Sequence, residues 1–92
     1  MQIPRELKIK YLERRKLEID HLNWSLDHDD FGPALKLGHQ VKGNAKTFEC
    51  PQIAPLGQEI ESAAKNKDKD MIRELIQKMS FELQLASQQF LH

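Results

Sequence analysis

The spacing of the apolar residues constrains this chain most, because they recur every three or four positions in each long segment between proline and glycine breakers. This period is typical of a helix with one buried face. Apart from isoleucine, β-branched residues are scarce, with a single valine and a single threonine, while leucine, lysine, glutamate and glutamine are common. These common residues favour helix. We therefore expect an all-α chain.

Four amphipathic segments account for the pattern. Their apolar stripes comprise Leu7, Tyr11, Leu12, Ile19, Leu22 and Leu26; Ala34, Leu37, Gly38, Val41, Ala45 and Phe48; Ile53, Leu56, Ile60, Ala63 and Ala64; and Met71, Ile72, Leu75, Ile76, Met79, Leu83, Ala86 and Phe90. Ile9 falls off the first stripe, which raises the prospect of a break in the first helix near Tyr11. Short connections between helices predict an antiparallel up-down four-helix bundle, forming one domain over residues 1–92.

Prolines and capping residues set the expected boundaries. Pro33 suits the first turn of the second helix. That helix should stop near Glu49, because Pro51 disfavours helical geometry in the residue before it. The third helix is expected to begin at Pro51 or Gln52, and Asn66 is expected to cap its end.

Composition excludes several classes of protein. Fourteen basic and fourteen acidic residues cancel, which argues against nucleic acid as a partner. No apolar run approaches the roughly 20 residues of a membrane span, and the N-terminus lacks the apolar core of a secretory signal. The single cysteine, Cys50, excludes an internal disulfide and is expected to pack at a helix junction. We expect a soluble, monomeric, cytoplasmic protein that stands alone as a polypeptide.

The stretch GHQVKGNAKTF, residues 38–48, departs from this plain pattern. His39 lies about 160° around the helix axis from Val41, so it should face water if Val41 faces the core. Lys42 shares its side one turn later. Gly43 also points outward, where a helical glycine costs about 0.5–1 kcal/mol relative to alanine. The simplest reason to keep it is that another molecule approaches His39 closely over the following turn.

An exposed neutral imidazole is a competent nucleophile. A protonated lysine cannot act as its base, but it can neutralise an anion attached to the ring, and phosphoryl is the anion that histidine characteristically carries. The trio therefore predicts a phosphohistidine site. In this site, His39 accepts the phosphoryl group, and Lys42 neutralises the charge of that group. Gly43 leaves space for the donor molecule to approach.

The run from His39 to Ala45 resembles the H-x-[hydrophobic]-K-G-[Ser/Asn]-[small] signature of histidine-containing phosphotransfer (HPt) domains. The upstream stretch LDHDDFGPALKLGH resembles the family's acidic turn before the phosphorylatable helix, and IAPLGQEIE, which ends in Glu61, resembles its third helix. The resemblance covers residues of about 5 to 85. One departure is Glu49, where many members carry a glycine at the helix end.

The resemblance implies a carrier in a multistep phosphorelay of two-component signalling. His39 would take a phosphoryl group from a receiver-domain aspartate and pass it to another receiver. Lys42 would support the phosphoryl oxygens. The chain would bind no ATP, and the Mg²⁺ used in transfer would belong to the receiver; a hybrid sensor kinase is a further candidate partner. The docking surface would consist of Leu35, Lys36, Gln40, Gly43 and Lys46.

Two alternatives stay open. The chain could be a helical docking module that binds a receiver or kinase without being phosphorylated. His21 and His28 lie near several aspartates and could together form a metal site, but they lack a zinc-type ligand spacing, so we expect no metal there.

Trp24 lies off the main stripe and is expected either at the edge of the core or in an exposed contact.

Overall fold

The computed structural model describes residues 3–89, and every regular element within that range is helical. The four α-helices are α1 (Arg5–Asp27), α2 (Gly32–Asn44), α3 (Ala54–Lys65) and α4 (Lys69–Gln88). A single 3-10 turn, Pro51–Ile53, precedes α3. The prediction of an all-α chain with four helices is confirmed.

The first helix is unbroken, so the break expected near Tyr11 is wrong. Tyr11 and Leu12 are both buried within α1, and half-buried Ile9 lies at the edge of the core without interrupting the helix. The buried stripe continues through Arg15, whose guanidinium lies 4.7 Å from the centre of the Tyr11 ring and pairs with Glu18. A long polar side chain thus fills a core position that the apolar pattern left vacant.

The second helix ends earlier than predicted, at Asn44, and residues 45–49 form turns. The Cys50 N–H donates to the Ala45 carbonyl at 2.8 Å, while Glu49 has a left-handed φ of 59°. This is the pattern of a Schellman motif, which satisfies carbonyls at a helix end. Cys50 itself is fully buried, as expected for a junction residue. The 3-10 turn at Pro51 then delays the start of α3 to Ala54.

Two predicted core positions are wrong. Leu7 is 47% exposed and Met71 is 43% exposed, and each is the third residue of its helix, where fewer neighbouring elements cover it. Met79, by contrast, is fully buried as predicted. The predicted core residue Phe90 lies outside the described range.

Trp24 is 57% exposed and stacks on His28, with ring centroids 4.0 Å apart. His28 Nδ1 is also within 2.8 Å of the Trp24 carbonyl oxygen. Within residues 3–89, no three His, Cys, Asp or Glu side chains are grouped closely enough to hold a metal ion. None of the described helices has the length and apolar character needed to cross a membrane.

The end of α3 offers a test of backbone strain. Asn66 caps the helix as predicted, and Lys67 follows with a left-handed φ of 52°. That conformation costs a residue with a Cβ about 1 kcal/mol or more, whereas glycine adopts it freely. We therefore expect Lys67→Gly to raise the free energy of unfolding by about 1 kcal/mol, measured by urea denaturation. Lys65→Gly, two residues earlier in helical geometry, is the control and should lower it by about as much. Destabilisation by both substitutions would contradict the prediction.

Candidate functional site

The outward face of α2 carries the residues that the sequence singled out. The His39 side chain is 72% exposed, while Val41 is fully buried, so the predicted orientation of the helix is correct. Lys36, Lys42, Gly43 and Lys46 are exposed on the same helix and the turn after it. Leu35 is also exposed, and Gln40 is half-buried. The predicted site residues thus lie on α2 and the turn after it, where six of them are exposed and Gln40 is half-buried.

The two glycines at the contact between α2 and α3 allow an unusually close approach. A Cβ added to Gly38 would lie 2.6 Å from the Glu61 backbone nitrogen and 2.6 Å from the Gly57 carbonyl oxygen. A Cβ added to Gly57 would lie 2.8 Å from the Lys42 nitrogen. Because these neighbours are backbone atoms, they cannot move aside as side chains can. The glycines therefore bring the backbone of α3 directly against the helix that carries His39.

This close approach places Glu61 under the exposed histidine. One Glu61 carboxylate oxygen lies 2.8 Å from His39 Nδ1, and the other accepts a hydrogen bond from Lys42 Nζ at 2.8 Å. An ionised carboxylate can only accept, so Nδ1 carries the proton. The lone pair of the neutral imidazole is then on Nε2. The hydrogen bond fixes both the ring orientation and its tautomer.

The charge on Glu61 is secured by its two partners. The hydrogen bond from Lys42, and next that from His39, hold the pKa of Glu61 below its ordinary value of 4.5, although desolvation opposes them. Glu61 is 8% exposed, so both of its oxygens depend on these partners for satisfaction. At neutral pH the site therefore consists of a carboxylate, an ammonium and an imidazole held in one network.

A lowered folded-state pKa has a defined effect on stability. It stabilises the folded protein above the unfolded-state pKa, and this contribution is lost as the pH falls through the folded-state pKa. We expect Glu61→Gln to be less stable than the wild type at pH 7 and the difference to shrink as the pH falls below 4.5. Urea unfolding of both proteins at a series of pH values measures it. The pKa values of Asp27 and Asp29 are also lowered, by Arg73 and Lys69, but both proteins share these groups. A difference that stays constant with pH would contradict the assignment.

Gly43 stands in a different environment from Gly38. Beyond its own stretch of helix, a Cβ at Gly43 would meet no atom of the described chain within 4 Å. The fold itself therefore does not require glycine at this position. The space over the turn that follows His39 is open to a second molecule.

The C-terminal end of α2 is tied to α1 by a contact that the sequence did not predict. Tyr11 Oη donates to Asn44 Oδ1 at 2.8 Å, and the Tyr11 ring stacks on Phe48 with centroids 4.4 Å apart. Asn44 thus has a partner inside the protein. Since it lies one and a half turns after His39, this contact holds the helix that presents the imidazole.

Two residues of the site were not assigned a role from the sequence. Glu61 appeared only as the end of a pattern in the third helix, and Gly38 only as a member of an apolar stripe. Glu61 is 22 positions from His39 in the chain. Only the packing of α3 against α2 brings the two together, so spacing alone carried no signal for it.

Comparison with known proteins gave one family match. The family model described as Hpt domain matches residues 7–91, nearly the whole chain. The match includes the whole of α2 with His39 and Lys42, and the whole of α3 with Glu61. Searches of curated proteins and of solved structures gave no match. The chain therefore belongs to the Hpt domain family.

Proposed function

We propose that His39 is the phosphoryl carrier of this Hpt domain, accepting the group from the aspartate of one receiver domain and passing it to another receiver. Membership of the family gives histidine phosphotransfer in a two-component phosphorelay as the function. The observation that carries the assignment is the hydrogen bond between His39 Nδ1 and Glu61, which leaves Nε2 on a side chain that is 72% exposed.

The other described histidines lack this arrangement. His28 Nδ1 contacts the carbonyl oxygen of Trp24, and the ring stacks on the indole. His21 lies on α1, with its ring centroid 6.0 Å from that of Trp24. Within residues 3–89, neither forms a hydrogen bond or salt bridge with a carboxylate or an ammonium group, as His39 does with Glu61. We keep, as part of the proposal, the prediction that His21 and His28 bind no metal.

The transfer step follows from the tautomer. The Nε2 lone pair attacks the phosphorus of the aspartyl phosphate, a P–N bond forms, and the P–O bond to the aspartate breaks with its electron pair staying on the carboxylate. The proton remains on Nδ1, so the phosphorylated ring is cationic and lies against the Glu61 carboxylate. Electrostatic stabilisation of developing charge by a fixed partner is a large term in such reactions. Transfer onward reverses the step, with the carboxylate of the second receiver as nucleophile.

The Lys42 ammonium can donate hydrogen bonds to the Glu61 carboxylate and to the phosphoryl group at the same time. Its ammonium has three N–H donors, of which one is used by Glu61. The side chain is 41% exposed and one turn after His39, so the remaining donors can reach phosphoryl oxygens on Nε2. The residue thereby neutralises charge that phosphoryl transfer concentrates at the site.

The receiver would dock on the outward face of α2. Gly43 leaves room over the turn after His39, because no described atom outside its own stretch of helix lies within 4 Å of a Cβ there. Exposed Lys36 and Lys46, with Leu35 and half-buried Gln40, would form the contact surface around it. Mg²⁺, where transfer uses it, would be bound by the receiver.

The bundle that supports this surface is proposed to be antiparallel and up-down. Only residues 28–31 connect α1 to α2, and only residues 66–68 connect α3 to α4. Such short connections favour neighbouring helices of opposite direction. In that arrangement α2 and α3 present His39 and Glu61 from facing positions.

The test is transfer of radioactive phosphoryl label from a panel of phosphorylated receiver domains to the purified protein. We expect label that is stable in alkali and labile in acid, as a phosphoramidate is, and that maps to the peptide containing His39. Binding to a receiver without any uptake of label would favour the docking module instead. Label on another histidine would refute the assignment of His39.

A further inference from the structure

The fourth helix carries a second stripe besides the one that faces the core. Its members step by three, four, three and four positions, which is the spacing of a heptad seam; they are Met71, Glu74, Lys78, Phe81 and Leu85. We call this stripe the α4 seam. Phe81 is 63% exposed, and Met71 and Leu85 are each 43% exposed. Three large apolar side chains thus lie along one exposed line.

The seam borders an open groove between α3 and α4, where Pro55 and half-buried Leu56 add apolar surface. Aligned apolar residues on a surface mark a contact with another molecule more often than scattered ones do. Glu74 and Lys78 lie between the apolar residues and form no salt bridge within residues 3–89. Both charges are therefore available to a partner.

The order of residues along the seam is complementary to itself. Along the seam, Met71, Lys78 and Leu85 occupy one heptad position, and Glu74 and Phe81 occupy the other. In an antiparallel helix pair, residues at the first heptad position of one helix face residues at the second position of its partner. Placing Met71 of one copy opposite Phe81 of a second copy also places Glu74 opposite Lys78, and the two-fold axis repeats both contacts. Opposite charges meet in the centre, with an apolar pair at each end. Isologous contacts of this kind close into a dimer.

Other alignments of the same seam are worse. A parallel pair would set Glu74 against Glu74 and Lys78 against Lys78. An antiparallel pair shifted by one heptad would set Glu74 against Leu85 and Lys78 against Phe81, which buries charges without partners. Polar residues at seam positions are a known means of fixing helix register. The charges of the seam therefore select one arrangement.

We propose that the chain forms a homodimer through an antiparallel pairing of its α4 seams, rather than the monomer expected from sequence. Apolar contact drives the association, and the Glu74–Lys78 pairs set its register. Glu59 and Glu82 also line the groove, so each copy brings three carboxylates and only one ammonium, that of Lys78. The dimer is consequently weak, and it depends on Lys78.

This dimer leaves the phosphotransfer surface accessible. The helix α4 packs against α1 and α3, whereas α2 packs chiefly against α3 and also against α1. The outward face of α2, with His39, is therefore not part of the seam. Each dimer would present two separate histidines, and the proposal stands whether or not His39 carries the phosphoryl group.

The test is sedimentation equilibrium of the full chain over concentrations from about 5 to about 500 µM. The variants are Glu74→Lys, Lys78→Glu and the double variant with both changes, with helical content checked by circular dichroism. We expect a concentration-dependent dimer of the wild type. Each single variant should weaken it at least about tenfold, because like charges then face each other twice. The double variant should recover it.

Three results would overturn the proposal. The first is a wild type that stays monomeric at the highest concentration. The second is a single variant that associates as strongly as the wild type or more strongly, which would mean that the charges do not face each other. The third is a double variant that stays monomeric while folded. Label transfer to the same variants should be unchanged. Sedimentation therefore tests the dimer, and label transfer separately tests His39 as the carrier.

Discussion

His39→Gln is expected to abolish uptake of phosphoryl label while leaving the fold intact. Glutamine has no nucleophilic ring nitrogen, so the P–N bond cannot form, and transfer should fall at least about a thousandfold, to background. The side chain is 72% exposed, and its removal leaves no cavity in the core. Stability should therefore change little, apart from the lost hydrogen bond to Glu61. Label transfer from a phosphorylated receiver and urea unfolding measure the two effects.

His21→Gln is the matched control for that variant. His21 is also exposed and helical, but it lies on α1, and its ring is near Trp24 rather than near Glu61. Its label uptake should equal that of the wild type. If His39→Gln still accepted label, or if His21→Gln lost it, the proposed carrier would be the wrong residue. We expect the His39→Gln variant to keep binding the receiver in calorimetry, which would show that its docking surface is preserved.

Gly38→Ala is expected to cause the largest loss of stability of any single methyl addition in the site. The new Cβ would lie 2.6 Å from both the Glu61 nitrogen and the Gly57 oxygen, so α3 would have to move away from α2. Overpacking against rigid neighbours costs about 1–3 kcal/mol and occasionally more. This outweighs the gain of about 0.5–1 kcal/mol in helix propensity. We expect a net loss of about 2 kcal/mol, the upper cost less the gain, from a total of about 5–15 kcal/mol.

The same displacement should impair transfer. Glu61 contacts His39 at 2.8 Å only because α3 lies directly against α2. Separating the helices lengthens that contact and frees the imidazole to reorient. We therefore expect Gly38→Ala to take up label more slowly even at a temperature where it is folded. A free energy of unfolding within about 1 kcal/mol of the wild-type value would show that α2 and α3 pack less tightly at Gly38 than in the structure.

Gly43→Ala provides the internal comparison, since its Cβ meets nothing within 4 Å. The substitution should raise stability by about 0.5–1 kcal/mol, because alanine favours helix over glycine. Slower transfer from a receiver, in a protein that is more stable, would support clearance for the partner as the reason for this glycine. Unchanged transfer would leave Gly43 without that role.

The sequence was most informative where local pattern sufficed. Helical periodicity predicted four helices, and the 160° separation of His39 from Val41 predicted which of them faces water. It was less informative at helix ends. Regular α-helix stops at Asn44, and turns over residues 45–49 lead to a Schellman motif, in which Glu49 is left-handed and Cys50 is buried. The predicted end near Glu49 is thus the position of this motif and not of the last helical residue. Such motifs are common with glycine and leave little trace without it.

Buried polar residues also escaped the pattern. Arg15 occupies a core position of α1 because its guanidinium can lie over Tyr11 and pair with Glu18. The apolar pattern assigned no core role to this residue, because the partners of its side chain are provided only by the folded chain. Leu7 and Met71 show the converse, because both are apolar and fit the helical spacing but are exposed.

By itself the sequence determined the helical class, the exposed face of the second helix and the candidate trio of His39, Lys42 and Gly43, because each depends on residues within a few turns of one another. Only the tertiary structure decided the chemistry at that histidine. Two glycines let α3 approach α2, and this places Glu61 against Nδ1 and leaves Nε2 facing outward. A hydrogen bond between residues on different helices depends on how the helices pack, and periodicity along one chain does not encode that distance.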